Sequence, residues 1–309
     1  MKVIQTVTMT HGEWLARREQ SIGASEAGAV IGINPWKTPT DVWLEKIGHA
    51  DPIEDNLNMR LGRDLEPVIK RLFMEESGLD VRNDNKIRVD DEYDFLTTNL
   101  DGMVVGEKVP VEYKTMGKWD GEIPDYYFAQ LQHQMMVSNA DHIYFVVLVL
   151  GFTKQLVVEK YKRDEEFIAK MREELVYFWE HYVKKGVPPP PTSIEDCKKI
   201  YNEVDPESIL DANKSVRDIL ASMDALRLVK QNADKEYKTL QIEVMDAMRD
   251  REYIEYNGIP LASWRQAKES QKFSAKDFKA DHPELYKEYS KTVTGSRRFL
   301  LKKIGDNNG

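Results

Sequence analysis

Asp101, Glu112 and Lys114 fall within one short stretch, FLTTNLDGMVVGEKVPVEYKT, at residues 95–115. Two carboxylates can hold a hard divalent cation such as Mg²⁺, which keeps positions open for water and phosphate oxygens. An ammonium beside them can orient or help deprotonate the attacking water. Those three groups therefore suit phosphodiester hydrolysis. A surface hairpin carrying three solvated charges would have the same letters, so the pattern is weak when taken alone. Its context strengthens it: an apolar strand before the aspartate, a strand holding the glutamate and lysine, and then a helix with Gln130.

The elements that must position these groups can be read locally. Residues 95–98 have strand composition, Asp101-Gly102 is a turn signal, and residues 109–115 form a second strand. Strand side chains alternate, so Glu112 and Lys114 share one face and Tyr113 takes the other. Residues 125–138 (DYYFAQLQHQMMVS) form a helix capped by Asp125, with Gln130, His133 and Gln134 brought together by their spacing. His133 reads as a hydrogen-bonded structural histidine. Residues 142–150 (HIYFVVLVL) are a continuous apolar strand buried on both faces, paired with residues 155–161 across a turn at Gly151. Residues 56–76 form an amphipathic helix stopped by Gly78. Glu66 lies beside its apolar stripe, where a carboxylate needs a cation or a hydrogen-bond partner, unless it simply faces solvent.

Upstream, residues 13–20 form a short helix, and SIGASE (residues 21–26) opens a second one with Ser25 as its N-cap. A helix start with small residues suits an anion, and Arg18 could fork onto a phosphate; ordinary capping explains the same letters. Thr38-Pro39 opens a third helix that Gly48 stops. Trp36 and Trp43 read as core aromatics.

The chain has 309 residues, 41% of them hydrophobic, enough for two domains with at least one full core. Its single cysteine, Cys197, excludes an intramolecular disulfide and any cysteine-ligated cluster within one chain, and suits a reducing cytoplasm. No apolar run is long enough to span a membrane and the N-terminus has no signal-peptide pattern, so a cytoplasmic protein is expected. The net charge of −9 argues against a general nucleic-acid coat. Residues 1–186 hold 23 Lys+Arg against 32 Asp+Glu, whereas the remainder holds 21 of each. The acidic excess thus sits in the catalytic half, which must gather DNA through a local basic lining, with metal ions offsetting the acidic centre.

Three parts are expected: a nuclease domain at residues 1–186, a Pro-rich linker at 187–202 (containing VPPPPT), and a C-terminal domain at 203–309 for DNA or partner binding. Ile219, Met223, Leu226, Ala233, Tyr237, Leu240, Val244 and Ala247 keep a 4-3 spacing, broken by Lys230, which predicts a helical stalk or coiled coil. Residues 253–265 form a hairpin around Asn257-Gly258. Residues 277–290 are helical, and residues 297–304 are a final strand in a basic closing segment.

The Asp, Glu-x-Lys arrangement resembles the PD-(D/E)XK nuclease superfamily, with Leu100 where that motif has proline. The strings WLARREQSIGASEAGAVIGINPW, LGRDLEPV, the Asp101 and Glu112-Tyr113-Lys114 unit, and YFAQLQHQMMV together resemble the YqaJ-type viral recombinase family, relatives of phage lambda exonuclease. The resemblance covers residues 10–185. It implies an α/β core, a central mixed sheet flanked by helices, with a C-terminal α+β extension. It also implies a 5′ to 3′ exonuclease on linear double-stranded DNA that leaves 3′ single-stranded tails for a phage annealing protein. By the same resemblance, Asp101 and Glu112 are metal ligands with the Tyr113 carbonyl, Glu66 assists at a second metal, Lys114 serves the water, and Gln130 supports the lysine. Arg18 and Ser25 take the 5′ phosphate. Two Mg²⁺ ions, replaceable by Mn²⁺, a trimeric ring, and a phage or prophage origin in a bacterial cytoplasm are implied as well. The competing readings are a PD-(D/E)XK endonuclease of restriction or junction-resolving type, and a non-catalytic recombination scaffold.

Overall fold

The structure is a computed structural model that describes residues 2–50, 55–292, 295 and 297–302. Six strands form one mixed sheet in sequence order: β1 (Lys2–Gln5), β2 (Val81–Val89), β3 (Thr97–Val104), β4 (Pro110–Met116), β5 (His142–Val149) and β6 (Gln155–Lys162). All neighbours are antiparallel except β4 and β5. A parallel pair needs a long crossover. Here the crossover contains helix α5 (Asp125–Ser138), and this connection carries the glutamines back over β4.

The apolar run of β5 is buried on both faces, and its alternation divides the core. Val146 packs with Tyr113, Val111 and, from helix α4 (Leu57–Ser77), Ile69 and Phe73. Phe145 and Val147 pack instead with Leu131 and Met135 of α5. The α5 face is thickened by α2 (Ala24–Val30), α3 (Pro39–Lys46) and α6 (Glu165–Phe178), whose Ala27, Trp43, Ile168 and Leu175 share a core with Ala129 and Met136. Beyond α6 the chain continues in a wider π-type turn over Trp179–Val183, and Trp179 stacks on Phe95 with ring centroids 5.0 Å apart. The first helix, α1 (His11–Glu19), starts with a reciprocal capping box between Thr10 and Glu13. Helix α4 runs through Pro67, which removes a backbone donor. The Asn56 cap upstream and the burial of Ile69 and Phe73 downstream hold the two halves together.

Several local expectations are corrected. Asp101-Gly102 is not a turn but mid-strand, and the chain reverses around Gly106, at φ +83°. Gly102 is needed there for another reason: a Cβ would stand 2.6 Å from Val81 Cγ1 and 3.2 Å from the Tyr113 hydroxyl. The α2 N-cap is Gly23, so Ser25 is the second helical residue and faces solvent. Pro124, not Asp125, precedes α5. Trp43 is buried, whereas Trp36 is 83% exposed.

Contacts divide the chain into Met1–Tyr201 and Asn202–Gly309. Residues 187–202, expected to be a linker, include helix α7 (Ile194–Ile200), which docks on α3. Its buried Asp196 takes a hydrogen bond from the Thr38 hydroxyl at 2.8 Å and others from Thr192 and Ser193. Proline blocks a helix but does not keep the residues beyond it from packing. In the second unit, α8 (Lys214–Met248) is one continuous helix whose 4-3 residues, Ile219, Leu226, Tyr237 and Leu240 among them, are exposed. Strands β7 (Tyr253–Tyr256) and β8 (Ile259–Ser263) form the expected hairpin, with Asn257 and Gly258 at φ 52° and 77° as a type I′ turn requires. The helix expected at residues 277–290 is two, α9 (Ala275–Asp281) and α10 (Pro283–Tyr289), because Pro283 cannot continue the first and starts the second. Residues 297–302 have no strand partner and are not a strand; the last two residues of that expected strand lie outside the described residues.

Candidate active site

The central feature is a split in the sheet. Pairing of β3 with β4 comprises Gly102 with Val111 and Met103 with Pro110, and beyond Val111 the two strands part. Asp101 and Glu112 stand at the fork. The Tyr113 amide, which has lost a ladder acceptor on that side, instead donates to Asp101 Oδ2 at 2.9 Å. A carboxylate thus replaces a backbone carbonyl in the ladder, and its orientation is fixed by the strand it caps.

Glu112 is buried and surrounded by donors. Its Oε1 accepts from Lys114 Nζ at 2.5 Å and from Gln130 Nε2 at 2.6 Å, and its Oε2 accepts from Gln134 Nε2 at 2.6 Å. Lys114 also lies over the Tyr127 ring, 5.3 Å from its centroid. Tyr113 points to the other face and packs with Val111 and Val146. The fold therefore brings Asp101, Glu112, Lys114 and Gln130 together, and Glu66 of α4 lies within electrostatic reach of Glu112 and Lys114.

The electrostatics show an excess of negative charge. Burial, then the neighbouring Glu112 carboxylate, pushes the Asp101 pKa well above the ordinary carboxylate value despite the opposing Lys114. The same two causes raise Glu66. Burial alone would lower the Lys114 pKa, but Glu112 and Asp101 outweigh it and raise it, so the lysine is an ammonium at neutral pH. Carboxylates pushed upward by a neighbouring carboxylate, as Asp101 and Glu66 are, gain from a cation placed beside them. Among the described residues, no three His, Cys, Asp or Glu side chains form a chelating cluster. That donor set suits Mg²⁺ or Mn²⁺ better than zinc, because Mg²⁺ commonly takes one or two carboxylates and keeps several waters.

A second charged cluster lies around α2. Glu26 is buried and accepts from Lys46 Nζ at 2.8 Å on both oxygens and from Arg18 Nη2 at 3.2 Å; Lys37 Nζ is 3.9 Å away. Glu26 Oε2 also caps its own helix by accepting from the Gly23 amide at 2.9 Å. Burial would raise the Glu26 pKa, but Lys46, Lys37 and Arg18 hold it below the ordinary value. Sequence reasoning found Arg18 and Ser25 but missed Glu26, Lys37 and Lys46, which share no motif spacing. It noted Gln134 beside Gln130 without giving it a role, although the i, i+4 spacing was the available signal. His133 is fully buried, its pKa pushed down to about 4 by burial, and among the described residues neither ring nitrogen has a hydrogen-bond partner. It is structural, but not through the hydrogen bonds expected of it.

A model of the YqaJ-like viral recombinase domain matches residues 13–141, the span that contains both clusters. Over 309 residues the chain is 30% identical to the uncharacterised protein YqaJ of Bacillus subtilis (strain 168), covering 96% of this chain and 95% of that one. The chain belongs to the YqaJ family. Among solved structures, the fold of this YqaJ-family chain is similar to that of the alkaline exonuclease LHK-Exo from Laribacter hongkongensis. The TM-score is 0.50 at 21% identity, covering 57% of this chain and 94% of that chain. The same exonuclease in complex with dAMP matches equally well. The likeness gives this YqaJ-family chain the fold of that alkaline exonuclease, a mixed sheet flanked by helices. Among the described residues, no helix is long and apolar enough to cross a membrane.

Proposed function

We propose that this protein is a divalent-metal-dependent exonuclease on linear double-stranded DNA that acts in recombination. The observation that carries the reading is the fork between β3 and β4, where Asp101 and Glu112 converge with the Lys114 ammonium. Asp101, Glu112 and the Tyr113 carbonyl would hold the ion, and Glu66 would assist at a second one. Mg²⁺, or Mn²⁺ in its place, would supply activation of the water and stabilisation of the leaving 3′ oxygen. Lys114, hydrogen-bonded to Glu112, orients or helps deprotonate the attacking water. Gln130 shares Glu112 Oε1 with Lys114 and so keeps the ammonium in place.

The second cluster gives the enzyme its preference for ends. Arg18, Lys37 and Lys46 face Glu26, and Glu45 pairs with Lys37 at 2.6 Å, so one positive charge is left over beside Ser25, whose side chain is exposed. A terminal 5′ phosphate suits that excess, with Arg18 and Ser25 as its contacts. Degradation then runs 5′ to 3′, leaving 3′ single-stranded tails for an annealing partner. A ring-shaped trimer around the duplex and a bacterial cytoplasmic setting, encoded by a phage or prophage, complete the reading. Residues 203–309 contribute DNA or partner binding rather than chemistry, with residues 1–186 as the nuclease domain.

A linear duplex labelled separately at each 5′ and 3′ end, incubated with and without Mg²⁺, tests the core of this reading. Release of the 5′ label first, only with metal, is expected. Nicking of closed circular DNA would favour an endonuclease, and hydrolysis in excess chelator would overturn metal dependence. A chain ending after Tyr201, which keeps the docked α7, should retain single-turnover cleavage at saturating DNA and lose affinity with a flatter salt dependence.

A further inference from the structure

We propose that Gln134 is a positioning residue that clips the two carboxylate-bearing strands together and sets the plane of the Glu112 carboxylate, an inference that rests on the reading of Glu112 as a metal ligand. Gln130 and Gln134 are one helical turn apart on α5 and present their amides to the same side. Each donates to a different oxygen of Glu112, both at 2.6 Å. One donor would leave a carboxylate free to rotate about its last side-chain bond. Two donors on one helix, one per oxygen, remove that rotation. Oε1 already takes Lys114 and Gln130, which occupies its two lone-pair directions, whereas Oε2 takes Gln134 alone and keeps one direction open. Gln134 thereby decides which way the open lone pair faces.

The same amide nitrogen has a second hydrogen, and the Asn99 carbonyl of β3 lies 3.4 Å from it. Gln134 thus bridges β3, which carries Asp101, and β4, which carries Glu112, across the gap where their ladder has ended. Packing does not explain this residue. Gln134 is 1% exposed, and its Oε1 is buried with no hydrogen-bond partner among the described residues. A buried orphan acceptor is unfavourable, and its helix neighbours Leu131 and Met135 fill core sites with apolar side chains. Reversing the amide would set its oxygen against the Glu112 carboxylate, so the assigned orientation is the one chemistry allows.

The test uses full-length protein carrying Gln134→Met, which keeps the length of the side chain and removes both donors. Gln134→Asn, which withdraws the amide by one methylene, serves as a second variant should the first fail to fold. Mn²⁺ binding to the DNA-free protein is measured by electron paramagnetic resonance, and single-turnover cleavage is measured over a Mn²⁺ series. The expected result is a tenfold to hundredfold weaker Mn²⁺ affinity, with the cleavage curve displaced to higher Mn²⁺ by the same factor and DNA affinity in chelator unchanged. Wild-type Mn²⁺ affinity in a folded variant, whether the rate is normal or uniformly reduced, would overturn the proposal. Asp101→Asn serves as the control: if it binds Mn²⁺ as tightly as wild type, the metal-site reading fails, whatever Gln134 does.

Discussion

The two charged clusters of the first unit use one device with opposite sign. Each is built on a buried glutamate, Glu112 or Glu26, on which donors converge at hydrogen-bond distance. At Glu112 most of the donors are neutral amides and the neighbours are Asp101 and Glu66, so negative charge is left over. At Glu26 the donors are Lys46 and Arg18, while the nearby Lys37 is paired with Glu45, so one positive charge is left over. The first surplus suits a metal ion and the second a phosphate. What distinguishes them is the chemistry of the donors, amide against ammonium, and not the carboxylate at the centre. On the proposed function the two differ in role: Glu112 is held for chemistry, whereas Glu26 holds the cations around it.

The sharpest way to break this comparison is at the catalytic end. Lys114→Ala or Asp101→Asn should lower the single-turnover rate by orders of magnitude, because these groups act on the transition state; the melting temperature should hardly fall for Asp101→Asn, whose charge is disfavoured by burial and by Glu112. A fully active Lys114→Ala enzyme would remove the distinction. Glu26→Gln should behave in the opposite manner. It leaves the buried Lys46 ammonium without its counter-charge, costs about 3–5 kcal/mol, and should appear as a drop of roughly 10 °C in a thermal melt. Replacing both partners, Glu26→Gln with Lys46→Met, should lose less than either single change, since burial disfavours the Lys46 charge and lowers its pKa.

A smaller effect separates the two surpluses by ligand. Arg18→Ala should shrink the rate advantage of 5′-phosphorylated over 5′-hydroxyl duplex ends severalfold, with little change on hydroxyl ends; an unchanged ratio would return Arg18 to capping and surface roles. The smallest is a pH effect. The folded-state pKa of Glu26 lies below its unfolded value. Its stabilisation is therefore present at pH above the ordinary glutamate value and is lost as pH falls through the depressed folded value. A melting-temperature series from pH 6 downward should show wild type losing stability in acid more steeply than the double variant at Glu26 and Lys46.

Much of the fold was legible locally. The β5 run, the α4 stripe with its Gly78 stop, the Thr38-Pro39 helix start and the Asn257-Gly258 turn each depend on neighbours within a few residues, and each appears in the structure. The errors are local signals overruled by distant partners. Asp101-Gly102 has turn letters, but β2 and β4 on either side draw it into a strand. The proline run reads as a linker end, yet Asp196 beyond it finds Thr38, 158 positions away in the chain.

The sequence by itself determined which groups could do chemistry, because carboxylate, ammonium and amide are properties of residue type, and strand alternation placed Glu112 and Lys114 on one face. Only the tertiary structure decided what those groups became. It parted β3 from β4 so that Asp101 could cap the Tyr113 amide, returned α5 across β4 so that Gln134 reached both strands, and brought Lys46 to Glu26. Each of these contacts joins residues that sit far apart in the chain or on different elements. Periodicity and capping rules operate over a few residues, whereas a hydrogen bond needs its two atoms about 3 Å apart in space, a distance that sequence spacing between separate elements does not encode.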